Sequence, residues 1–191
     1  MKKLIAGLAL TAFSMMAQAA PLVINGDFEN GLTGWAEDVA PGATANQHGV
    51  TTFSSSDLNK FYSVGSTGLT SLSQSLNTAA GTLYDLSFQL RGVNDANAPE
   101  LPENYSKVVF GNYSYMPISF DGGSFTTFVY KGLLAAAGPT TLTFTASSKL
   151  SYVHLDNVSV QVSAVPEPET YAMMLLGLGL IGYAMQRRRK G

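Results

Sequence analysis

The 191-residue sequence predicts an all-β fold, an antiparallel β-sandwich with a short helix appended at each end. Three observations carry that prediction. Apolar and polar residues alternate with period two along several runs in the interior of the chain, the pattern of a half-buried strand. Gly-Asn, Asp-Gly-Gly and Gly-Pro punctuate the runs, as turns do. No 3.6-residue period persists between residues 20 and 164, and many short strands without intervening helices pack as a sandwich.

The N-terminal element is an export signal. Met1-Lys2-Lys3 is a positive n-region, Leu4–Met16 a short apolar h-region, and Ala17-Gln18-Ala19 a small-x-small cleavage site. Cleavage after Ala19 keeps Pro21, with its fixed φ and missing N–H, away from the scissile bond. Residues 1–19 therefore read as a signal peptide for the export translocon and signal peptidase. A retained anchor is the other reading, disfavoured by the short h-region.

Residues 20–164 make one domain by length. Leu83-Tyr84-Asp85-Leu86-Ser87-Phe88-Gln89-Leu90-Arg91 alternates cleanly, with Tyr84, Leu86, Phe88 and Leu90 on one face. Leu142, Phe144 and Ala146 alternate with threonines in the same way. Further strands are expected at 61–64, 69–76, 107–116, 125–131 and 152–162, where Val, Thr, Tyr and Phe suit a pleated surface. Leu133–Ala137 offers at most one helical turn. The last run changes phase: Val153 and Leu155 share one parity, Val158, Val160 and Val162 the other. A bulge or bend at Asp156-Asn157 is required to keep both sets on the core face. The stretch 92–104 holds two prolines and cannot be a strand, so it reads as a long surface loop.

The C-terminal element, 165–191, runs from Val165-Pro166-Glu167-Pro168-Glu169-Thr170 through the mostly apolar Tyr171–Met185 to Arg187-Arg188-Arg189-Lys190. Fifteen helical residues rise roughly 22 Å at 1.5 Å each, short for a span that needs about 20. Snorkelling by the basic cluster extends the reach, and the positive-inside rule keeps that cluster cytoplasmic and residues 20–164 outside. Gly177, Gly179 and Gly182 suit close approach to a partner helix. An ordinary C-terminal anchor is the plain alternative.

Charge excludes one class of function. Residues 20–164 carry eleven carboxylates against Lys60, Lys107, Lys131, Lys149 and Arg91, near −6, whereas the whole chain is −2. A domain this acidic, with one arginine, is a poor nucleic-acid binder. There is no cysteine, although an exported domain permits disulfides.

Catalytic signals are weak. His48 lies in a polar stretch. His154 has the parity opposite to Val153 and Leu155 and is expected to face solvent. No nucleophile elbow, zinc-protease helix or phosphate loop is present. Glu100 and Glu103 form an imaginable acid/base pair for glycoside cleavage, but read better as solvated loop charges. Sugar sites combine aromatic platforms with amide and hydroxyl groups. Tyr113 and Tyr115 share parity in a Tyr/Ser/Asn-rich stretch, which makes them the candidate ligand platform, with packing as the competing role.

The tail resembles the PEP-CTERM sorting signal, through Val165–Thr170, the Leu175–Gly182 core and the basic cluster in that order; Glu169-Thr170 is a small departure. The resemblance implies that Pro166, Glu167 and Pro168 are the sorting motif and Arg187, Arg188, Arg189 and Lys190 the basic stop. It also implies processing by an exosortase, a membrane-embedded cysteine transpeptidase of Gram-negative bacteria. The precursor then sits transiently in the inner membrane, and the product goes to the cell surface or into extracellular polysaccharide.

The domain in turn resembles galactose-binding-domain-like jelly rolls, including carbohydrate-binding modules. Asn25-Gly26-Asp27-Phe28-Glu29 with Leu32-Thr33-Gly34-Trp35, Leu83–Phe88, and Leu155-Asp156-Asn157-Val158-Ser159-Val160 carry the resemblance. It implies that the first and last strands are neighbours, that Trp35 is structural, and that Glu29 and Asp156 hold a structural Ca2+. Calcium takes six to eight oxygens. The alternative is that both carboxylates cap turns. The expected function is a non-enzymatic surface or matrix protein of the biofilm with weak glycan binding. A secreted carbohydrate-active enzyme and a structural protein without a small ligand are the alternatives.

Overall fold

The computed structural model describes residues 21–43, 48–56, 58–66, 68–93, 105–116, 124–148, 152–164, 173–179, 181 and 185–186. Among them ten strands form β1 (Ala36–Asp38), β2 (His48–Thr51), β3 (Phe61–Val64), β4 (Thr70–Leu76), β5 (Leu83–Val93), β6 (Tyr105–Phe110), β7 (Tyr113–Tyr115), β8 (Thr126–Leu134), β9 (Thr140–Ser147) and β10 (Tyr152–Val162). They lie in two five-stranded sheets, ordered β1-β4-β9-β6-β7 and β2-β3-β10-β5-β8, with every pairing antiparallel. The sheets stack as a jelly-roll sandwich.

Period-two alternation fills the space between them. Tyr84, Leu86, Phe88 and Leu90 of β5 meet Leu72 and Leu76 of β4, Val108 and Phe110 of β6, and Leu142 and Phe144 of β9 in one buried cluster. Each fully buried Leu or Phe contributes about 2 kcal/mol from removal of apolar area from water. Thr70 and Gln74 are the buried polar residues of β4; Gln74 serves the opening segment. Its amide takes the place of a strand partner, accepting from Ile24 N at 2.7 Å and donating to Ile24 O at 2.9 Å.

The phase break in β10 is a bulge. Pairing with β5 shifts register between Asp156 and Ser159, and Asn157 sits at φ 51°, a conformation its short polar side chain tolerates. The bulge holds Leu155 and Val158 on the same side, and both are buried in the core.

That bulge also receives the opening segment. Val158 N donates to Gly26 O at 2.8 Å, so the two ends of the domain are neighbours. Asn25 organises the turns between them: its side chain donates to Gly31 O at 2.9 Å and accepts from Asn30 N at 3.0 Å. Its carbonyl accepts from Trp35 Nε1 at 3.0 Å. Trp35 is buried beside Phe28, with ring centroids 5.5 Å apart, the core role expected of it.

Three boundaries differ from the sequence reading. Residues 107–116 are a hairpin, β6 and β7, because Gly111 at φ 56° turns the chain. β5 runs through Val93 on the pairing it makes with Tyr152, so the long loop begins later than residue 92. Leu133 and Leu134 end β8 in extended pairing with β5. The expected signal peptide 1–19, Glu100, Glu103, Pro166, Glu167, Pro168 and the basic cluster Arg187, Arg188, Arg189 and Lys190 lie outside the described residues.

Candidate functional site

The outer face of the second sheet carries a cleft of about 540 Å³. Alternation puts Phe61 and Ser63 of β3, Arg91 of β5, and Tyr152 and His154 of β10 on this face. Register then brings them together, since His154 pairs with both Ser63 and Arg91. His48, Gly49 and Thr51 of edge strand β2, and Phe53 just beyond it, form the rim.

An aromatic patch lines the floor. His154 meets Phe61 edge-on at 4.5 Å between centroids, and Phe53 at 5.6 Å. Phe125 closes against Phe53 and Phe61. Tyr152 lies nearly parallel to His154, 8° between planes. Tyr152 and Phe53 are 40% and 44% exposed, so aromatic surface is open to a ligand. The Arg91 guanidinium lies over the Phe53 ring, 4.2 Å from its centroid, a cation–π contact.

His154 corrects the sequence expectation. Its parity is as read, but it is only 6% exposed, because Phe53 and Phe61 cover this side of the sheet. Burial, followed by the positive charge of Arg91, pushes its pKa down to about 4. The imidazole is neutral at physiological pH. Its Nδ1 and the Nε of Arg91 are buried atoms without a hydrogen-bond partner, an arrangement that costs about 1–3 kcal/mol for each such atom unless a ligand or water meets it.

The cleft wall is braced from behind. Glu37 on β1 accepts from the Tyr62 hydroxyl at 2.6 Å and contacts His48 Nδ1 at 3.0 Å, joining the edges of the two sheets. Burial, then this carboxylate, raises the Tyr62 pKa, so the phenol stays a donor.

The residues nominated from sequence lie elsewhere. Tyr115 stacks on Tyr130 with centroids 3.9 Å apart, and the Tyr113 hydroxyl accepts from Leu134 N at 3.2 Å. Both rings are partly buried against the core. Glu29 accepts from Lys60 N at 2.8 Å, while Lys60 Nζ donates to Glu29 O at 2.7 Å. Asp156 is 1% exposed and accepts from Asn59 Nδ2 at 3.1 Å and Asn157 N at 2.7 Å. Burial raises the Asp156 pKa; these two hydrogen bonds oppose the rise, and the nearby charges of Glu29 and Asp27 add to it. The opening and closing segments thus do bring acidic side chains together. Among the described residues no group of three or more His, Cys, Asp or Glu side chains is arranged to hold a metal.

Beyond the sandwich, residues 173–179 are helical. Among the described residues no helix is long and apolar enough to cross a membrane. Residues 164–190 match the PEP-CTERM protein-sorting motif. The PEP-CTERM motif marks the chain for export, and the match covers the tail rather than the sandwich. No curated protein matches the chain at a significant level.

Solved structures share the sandwich. A family 61 carbohydrate-binding module, TmCBM61 in complex with β-1,4-galactotriose, superposes with TM-score 0.59 at 12% identity, over 76% of this chain and 100% of that one. A family 16 carbohydrate-binding module gives 0.53 at 14%, over 73% and 99%. The K3 cleaved adhesin domain of Lys-gingipain from Porphyromonas gingivalis gives 0.52 at 14%, over 73% and 98%. These likenesses are likenesses of fold.

Proposed function

We propose that the protein is an exported glycan-binding protein of the cell surface or extracellular matrix, released from its tail by an exosortase and without catalytic activity. Its binding site is the outer-face cleft. One observation carries the reading: exposed faces of Tyr152 and Phe53 stand beside two buried, unpartnered polar atoms, Arg91 Nε and His154 Nδ1. Sugar C–H faces pack on aromatic rings while hydroxyls need polar partners. The sandwich shared with carbohydrate-binding modules supports the reading, and the PEP-CTERM motif supports a place in exopolysaccharide or biofilm.

Binding of the full chain, purified in mild detergent, to an array of bacterial and plant polysaccharides tests it. Tyr152→Ala is expected to weaken binding about tenfold, the loss of roughly 1.4 kcal/mol. Loss on Tyr115→Ala with Tyr152→Ala unchanged moves the site to the β7 tyrosines. Turnover of any bound polysaccharide makes the protein an enzyme, and absence of all binding leaves a structural surface protein.

A structural calcium is the second part of the proposal, held by Glu29 and Asp156. The donors are oxygens, as calcium requires, and a cation there neutralises a buried carboxylate crowded by two others. Chelator treatment is expected to lower the thermal midpoint by several degrees, with calcium restoring it. An unchanged midpoint removes calcium from the account.

A further inference from the structure

Resting on the glycan-binding reading, the charge around the cleft points to a class of sugar. The domain is acidic overall, yet among the described residues those lining the cleft include no Asp or Glu. They include Arg91, the one arginine between residues 20 and 164. Its guanidinium lies over the Phe53 ring, and its Nε has no partner. The Glu37 carboxylate, which touches the rim residue His48, is engaged by His48 and Tyr62.

We infer that the cleft selects an anionic saccharide, with the Arg91 guanidinium taking the carboxylate of a uronate-type sugar and His154 Nδ1 bonding a hydroxyl of the same residue. A planar fork meets a carboxylate through two parallel hydrogen bonds, a geometry an ammonium does not reproduce. The preference opposes the domain's own field, since a polymer of like charge approaches an acidic protein only where a local cation faces it. The neutral imidazole adds no positive charge of its own, so among the described lining residues the charge recognition falls to Arg91.

The test uses acidic polysaccharides, each paired with its carboxyl-reduced neutral counterpart of the same linkage, and poly-glutamate as a sugar-free polyanion. Affinity electrophoresis of the full chain in mild detergent is expected to favour at least one acidic polymer over its reduced partner about tenfold, with no binding to poly-glutamate. Arg91→Gln is expected to bring the two members of that pair within about twofold, and Arg91→Lys to recover only part of the preference. Tyr152→Ala is expected to weaken both members alike. Equal binding of acidic and reduced polymers by the wild-type chain overturns the inference while leaving glycan binding intact, and this comparison needs no variant to fold. Equal binding of poly-glutamate overturns it as well. Failure to bind any polymer overturns the glycan-binding reading itself.

Discussion

Gly26→Ala is expected to lower the stability of the sandwich by about 3 kcal/mol. A Cβ at this position stands 1.9 Å from Val158 O, 2.9 Å from Val158 C and 3.2 Å from Val23 Cγ1. Two of those three atoms are backbone, which cannot rotate away. Relief requires the opening segment to lift from the β10 bulge, and that breaks the hydrogen bond from Val158 N to Gly26 O. Overpacking of this kind costs about 1–3 kcal/mol and the lost hydrogen bond about 1 more. For a domain of this size that is a fall of roughly 10 °C in the unfolding midpoint, a large share of a total stability of about 5–15 kcal/mol. Gly177→Ala is the control, because a Cβ there meets nothing within 4 Å. Thermal unfolding of the full chain by circular dichroism distinguishes them; coincident midpoints for wild type and Gly26→Ala refute the packing argument.

The second large effect is one of pH. His154 titrates near 4 in the fold and near 6.5 unfolded. The unfolded chain therefore binds the proton first on acidification. The contribution of a neutral His154 is fully present above about pH 6.5, falls as pH drops toward 4, and is constant below that. The full linkage over this window is about 3 kcal/mol, and residual solvent contact brings it to about 2. Asp156 works the other way, since its raised pKa makes protonation favour the fold as pH falls. Only a difference against a His154 variant isolates the histidine. Urea unfolding of wild type and His154→Phe between pH 4 and 7.5 is expected to show wild type losing about 2 kcal/mol relative to the variant. Parallel curves, or an imidazole resonance titrating near 6.5, count against a buried neutral His154.

Much of the fold was legible because burial on one face writes itself into a strand with period two. β5, β9 and β10 show it plainly, and the parity change at Asp156-Asn157 marks the bulge. β1 and β2 left no such trace: Ala-Glu-Asp and His-Gly-Val-Thr are short and partly exposed, and edge pairing rather than alternation defines them. The cleft was legible only in part. Parity placed His154 on the outer face, but not the aromatic side chains that cover it. A signal was present in β3, where Phe61 and Tyr62 are adjacent and apolar on opposite faces, and both are buried. A strand apolar on both faces is covered on both. Phe53 and Arg91 reach the cleft from separate stretches of the chain, a meeting that only the sheet register produces.

The direction of β10 has a consequence for display. Tyr152 and His154 stand at its start, and the chain leaves the sandwich at its far end, after Ser163 N bonds to Leu83 O. At about 3.3 Å per residue, the cleft and the point of departure are roughly 26 Å apart along the strand. The cleft stands at the toe of the sandwich and the chain leaves at its heel. In the proposed role, processing of the tail therefore takes place a strand's length away from the cleft, and leaves it clear.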